Sequence, residues 1–136
     1  MDSKTKGFTI LEICLILIII SIITFLIING YQKIIDKVIF SIAKNNLATL
    51  QRQIWMYYSL EGQYPQSLHT LVEKGYLKEI PILNIKYHPP TRNVVVADQP
   101  YDNISDLGAW YYDFKNGTIK IACTHKDPEG VEIYKW

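Results

Sequence analysis

Cysteine is scarce in this chain, neither charge is in excess, and the familiar catalytic motifs are missing; each shortage removes a class of protein. Cysteine occurs only at Cys14, inside an almost pure hydrocarbon run, and at Cys123, near the far end. A side chain held in a membrane cannot approach a strand of an outer domain, so an intrachain disulfide is geometrically implausible. The formal net charge is +1, which argues against a nucleic-acid module with its basic face. There is no Gly-x-Ser-x-Gly, no phosphate-binding glycine loop and no convincing nucleophile–base pair. His69, His88 and His125 show no metal-ligand spacing, and no cysteine lies near enough to make a convincing zinc site. Internal repeats and low-complexity tracts are absent as well. Catalysis therefore has no candidate residues.

What the chain does have is hydrocarbon. From Phe8 to Ile28 the only residues that are not apolar are Thr9, Glu12, Ser21 and Thr24. At about 1.5 Å per helical residue the run is long enough for the roughly 30 Å core of a bilayer. A carboxylate inside such a run is costly unless paired or neutralised, which makes Glu12 a functional residue to explain. Lys4 and Lys6 ahead of the run place the N-terminus in the cytoplasm by the positive-inside rule, although Lys33 and Lys37 weaken the asymmetry. A cleaved secretory signal would have a shorter apolar core and a small-residue site after it, and Leu26-Ile27-Ile28-Asn29-Gly30 offers none.

The hexapeptide Gly7-Phe8-Thr9-Ile10-Leu11-Glu12 resembles the processing motif of type IV prepilins and type II secretion pseudopilins. The resemblance implies that a prepilin peptidase cuts after Gly7 and that Phe8, the new amino terminus, is N-methylated. It makes Glu12 the membrane-embedded glutamate of the family, able to meet the α-amino group of Phe8 on a neighbouring subunit. Residues 1–7 would then be a cytoplasmic leader, 8–29 the transmembrane and assembly half of a long helix, and 30–136 a periplasmic globular domain. Losing Asp2, Lys4 and Lys6 with the leader would leave the mature chain formally neutral.

Further along, Ile39, Ala43, Leu47, Leu50, Ile54 and Tyr57 recur every three or four residues, with Lys37, Lys44, Asn45, Gln51 and Arg52 opposite. That is one face of an amphipathic helix, so a single helix is expected from about Phe8 to Ser59. Asn29-Gly30 is its weak point, since glycine costs about 1 kcal/mol relative to alanine in a helix; it is either a flexible break or a plain junction at the membrane surface. Glu61-Gly62-Gln63-Tyr64-Pro65 ends the helix, and Ser67 to Lys74 reads as a short second one closed by Gly75. Prolines at 81, 89, 90 and 100 make Ile80 to Pro100 loop-like, with Asn93 to Ala97 a candidate strand. Trp110 to Phe114 and Thr118 to Cys123 flank Lys115-Asn116-Gly117, a hairpin signal. Val131 to Trp136 is a candidate last strand. The tyrosine pairs Tyr57-Tyr58 and Tyr111-Tyr112 suit packing better than ligand binding.

Both the Gly62-Gln63-Tyr64-Pro65 to Gly75-Tyr76-Leu77 region and the Gly108 to Ile119 region resemble corresponding parts of pseudopilins. The implied fold is α+β: a long N-terminal helix, its first half transmembrane, packed on a small antiparallel sheet. Major pseudopilins bind Ca²⁺ in the loop before the last strands, and Asp98, Asp102 and Asp106 are the candidate ligands here, with Asn103, Ser105 and Asp113 nearby. The family's Asp-Pro-Trp-Gly stretch is missing. Many pilins close the C-terminal region with a disulfide, which this chain cannot form. The expected function is a non-enzymatic structural subunit of a type II secretion pseudopilus or a related filament in the bacterial inner membrane. Its expected partners are other subunits, the peptidase and methyltransferase, an assembly platform and the membrane. A type IV pilin for adhesion, motility or DNA uptake is the nearer alternative; an uncleaved single-pass protein with a ligand-binding outer domain is the farther one.

Overall fold

The computed structural model describes residues 9–97 and 106–136. The chain divides into two units, one ending at Ile35 and one running from Asp36 to Trp136. Helix α1, Ile10–Glu61, belongs to both and is continuous through Gly30, so the expected weak point is not a break. Every large apolar side chain from Ile10 to Ile28 is exposed, up to 84% for Ile10. In an apolar medium the two hydroxyls of this stretch must find partners within the helix. They do: Ser21 donates to the carbonyl of Leu17 and Thr24 to that of Ile20, each at 2.8 Å.

The second unit is built on the later part of α1. Phe40, Ala43, Leu47, Leu50, Ile54 and Tyr57 are buried. The stripe begins at Phe40 rather than at the expected Ile39, which is half-buried. A step of three back from Ala43 keeps the stripe centred, whereas a step of four drifts off it. Helix α2, Leu68–Glu73, buries Leu68 and Leu71. It ends in a Schellman motif, with the Tyr76 amide donating to Leu71 and the Gly75 amide to Val72.

The strands correct the expected topology in three places. Leu83–Ile85 (β1) and His88–Thr91 (β2) form an antiparallel ribbon within the stretch expected to be loop. Pro89 and Pro90 cannot donate to a ladder, and they sit in a two-stranded ribbon whose register shifts between Leu83 and Ile85. Val94–Ala97 (β3) pairs in parallel with Ala109–Asp113 (β4), which pairs antiparallel with Thr118–Ala122 (β5). The sheet is therefore mixed, not wholly antiparallel: Asn116-Gly117 dictates the β4–β5 hairpin, while nothing in Val94–Ala97 sets a direction. The C-terminal segment forms a 3₁₀ turn at Ile133–Lys135 instead of a strand.

Central strand β4 supplies the largest buried side chains. Trp110 and Tyr112 are fully buried on one face, and each has one polar atom that must be matched. The Trp110 indole donates to the carbonyl of Pro81 at 2.9 Å and the Tyr112 hydroxyl to that of Pro65 at 2.7 Å. Among the described residues no buried side-chain nitrogen or oxygen lacks a partner. Tyr112→Phe, which strips the donor from a buried carbonyl, is expected to cost about 1–2 kcal/mol. Chemical denaturation with an unchanged m-value is the check; an unchanged midpoint would show that water replaces the bond.

Candidate functional site

Two regions gather groups with chemistry to perform. The first is the start of α1. Thr9 stands as its N-cap: its carbonyl accepts from the amides of Glu12 and Ile13, and its hydroxyl oxygen accepts from the Glu12 amide at 3.3 Å. In return the Glu12 carboxylate accepts from the Thr9 amide at 3.5 Å. Thr-x-x-Glu at a helix start is a capping box, a local use of Glu12 that the resemblance did not suggest. A carboxylate in the first turn also faces the positive end of the helix dipole. Gly7 and Phe8, the processing residues, lie outside the described residues.

The second region brings together residues whose spacing in sequence gives no metal signature. His88, Asp106, Cys123 and His125 bring one ligand atom each into a group in which all lie within 4.8 Å of one another. Strand β2 opens with His88; Asp106 stands three residues before β4; Cys123 follows β5 directly. Both histidines point at the same oxygen, Asp106 Oδ1, from His88 Nε2 at 3.1 Å and from His125 Nδ1 at 3.3 Å. The Thr124 amide donates to that oxygen at 3.0 Å, and Cys123 Sγ lies 3.5 Å from His125 Nδ1. Cys123 forms the buried floor, the histidines are intermediate and Asp106 is at the solvent side.

The surroundings hold these groups in place. Tyr87 stacks on the His125 ring with centroids 4.2 Å apart, and its hydroxyl donates to the Lys126 carbonyl. The His88 ring meets His125 edge-on. Against His88 lies Gly108, with φ +61°, where an added Cβ would sit 2.3 Å from His88 Cγ. Only glycine takes that backbone conformation freely and leaves room for the imidazole.

Charge follows from the same contacts. Burial alone would raise the Asp106 carboxyl, but the Thr124 amide, His88 and His125 outweigh it and hold the group below the usual carboxylate range. Burial pushes the Cys123 thiol up to about 11. The thiol is thus protonated near neutrality.

Of the expected calcium ligands, Asp98 and Asp102 lie outside the described residues, as do Asn103 and Ser105. Among the described residues, Asp106 stands beside the nitrogen and sulfur donors of His88, His125 and Cys123. Asp113 closes the β4–β5 hairpin, accepting from the amides of Lys115 and Asn116 and from the Asn116 side chain. In sequence the only local sign of the cluster was Cys123-x-His125, whose partners are far away in the chain. Cys14 and Cys123 are both free thiols. The chain matches no protein-family model, no curated protein and no solved structure.

Proposed function

We propose that this chain is a structural subunit of a type II secretion pseudopilus or a closely related type IV pilus-like filament. One observation carries the reading: Gly7-Phe8-Thr9-Ile10-Leu11-Glu12 leads into a helix whose large apolar side chains are all exposed as far as Ile28. Such a surface needs a cover, either lipid tails or the same surface of neighbouring copies. A subunit that waits in the membrane and then packs into a helical stack uses both covers in turn. In this reading Gly7 precedes the cut by the prepilin peptidase, Phe8 is methylated, and an inner-membrane assembly platform receives the product. The globular unit would lie outside the cytoplasm. The lack of a possible disulfide favours a pseudopilus over an adhesive pilin. The role is mechanical, and the chain is substrate rather than enzyme.

Intact mass of the membrane-extracted protein, from cells with and without prepilin peptidase, tests this. Loss of Met1 to Gly7 together with a methyl group on Phe8, only where the peptidase is present, is the expected result. A full-length chain in both strains would overturn it in favour of an uncleaved single-pass protein.

A further inference from the structure

We infer that His88, Asp106, Cys123 and His125 are a structural zinc site, a function beyond the filament reading and independent of it. The donor set comes first. A thiol, two imidazoles and a carboxylate are ligands for a borderline first-row metal, and together they are poor ligands for calcium or magnesium.

Geometry agrees with the donor set. Zinc bonds of about 2.0–2.3 Å in a tetrahedron place neighbouring ligand atoms roughly 3.3–3.8 Å apart. Here the separations are 3.1 Å for His88 to Asp106, 3.3 Å for His125 to Asp106 and 3.5 Å for Cys123 to His125. Shifts of a few tenths of an ångström at those three contacts reach tetrahedral spacing, and the remaining pairs, all within 4.8 Å, need to close by no more than about 1 Å to reach it. The supporting shell is built as well. Thr124 orients the carboxylate, Tyr87 holds the His125 ring and Gly108 leaves the space that His88 fills. Ligands held by such partners need little reorganisation to bind.

Four protein ligands close the coordination sphere, which makes the site structural rather than catalytic. The ion would join β2, the segment entering β4 and the segment leaving β5 at one point. That is the mechanical task of a disulfide in a chain whose free cysteines cannot form one. Without metal the same groups form a hydrogen-bonded His-Asp-His cluster, which is the alternative that the test must separate.

The test uses the full-length chain in detergent, stripped with a chelator and titrated with Co²⁺, then with Zn²⁺, in the presence and absence of excess Ca²⁺. The expected result is stoichiometric Co²⁺ binding with the intense visible bands of a tetrahedral ion and a near-ultraviolet thiolate charge-transfer band. Zn²⁺ should displace it and Ca²⁺ should not. Cys123→Ser should abolish the charge-transfer band, and His125→Gln should weaken Zn²⁺ binding by about 100-fold or more, beyond the loss typical of a supporting residue. The His125 side chain is 40% exposed, so metal-free His125→Gln is expected to fold, with a small drop in melting midpoint from the lost stacking on Tyr87, and it decides the matter if Cys123→Ser does not fold. Failure to bind Co²⁺, displacement by Ca²⁺, or unchanged Zn²⁺ affinity in His125→Gln would each overturn the site.

Discussion

Asp127→Ala is expected to destabilise the unit from Asp36 to Trp136 by about 2–4 kcal/mol, lowering its thermal midpoint by roughly 10 °C or more. The Asp127 side chain is 1% exposed yet charged. It survives burial because donors surround it. The amides of Glu129 and Val131 reach Oδ1 at 2.9 Å each, while Lys44 Nζ at 3.0 Å and the Trp136 indole at 3.2 Å reach Oδ2. Burial alone would raise its carboxyl, but the Val131 amide, Lys44 and the Glu129 amide outweigh it and hold it below the usual range. Lys44 also lies over the Trp136 ring, so one carboxylate fastens the last ten residues to α1. Lys44 is 43% exposed and can return to water when its partner is lost, which keeps the cost below that of a fully buried pair. Asp127→Asn retains an acceptor for the amides, so about half the loss is expected. Thermal melts of both variants check this; wild-type midpoints in both would show that the C-terminal segment contributes no stability.

How legible all this was in the sequence depended on the range of the interaction. The α1 stripe, the Gly75 helix end and the Asn116-Gly117 hairpin are local signals, set by periods of 3.6 residues or by a turn that needs positive φ. They were read to within a residue or two. The direction of β3 was not legible, because parallel pairing is decided by where the intervening chain returns, not by Val94–Ala97 itself. Val131–Trp136 resembled a strand, but the Asp127 carboxylate pulls its first amide into a turn, and the Ile133 amide bonds back to His125. The cluster of His88, Asp106, Cys123 and His125 is the extreme case. His88 and Asp106 are separated by 18 residues and meet only because a proline-bearing ribbon forms where a loop was expected. The aspartates before β4 are close in sequence, whereas the partners of Asp106 at His88 and His125 are distant and show only in the fold.

Glu12 carries the other large expected effect, and the capping box alters how it must be tested. Under the filament reading, Glu12→Ala leaves cleavage after Gly7 intact and abolishes assembly. Alanine, however, removes two things at once: the charge that would meet a neighbour's Phe8 amino group, and the partner of the Thr9 amide. Loss of that half of the capping box frees only the Thr9 amide, because the Thr9 hydroxyl still accepts from the amide of residue 12. Glutamine separates them, because it serves at the same capping position without a charge. If the charge pair sets the register between subunits, Glu12→Gln fails to assemble as completely as Glu12→Ala, with both processed normally. If Glu12 acts only through the helix start, Glu12→Gln assembles like wild type and only Glu12→Ala is defective. Counting sheared filaments, alongside intact mass of the membrane pool, distinguishes the outcomes. The first is expected, since an ion pair between subunits in a low-dielectric bundle acts mainly on register and penalises misaligned stacking, whereas a frayed first turn leaves the exposed apolar surface from Ile13 to Ile28 intact for packing.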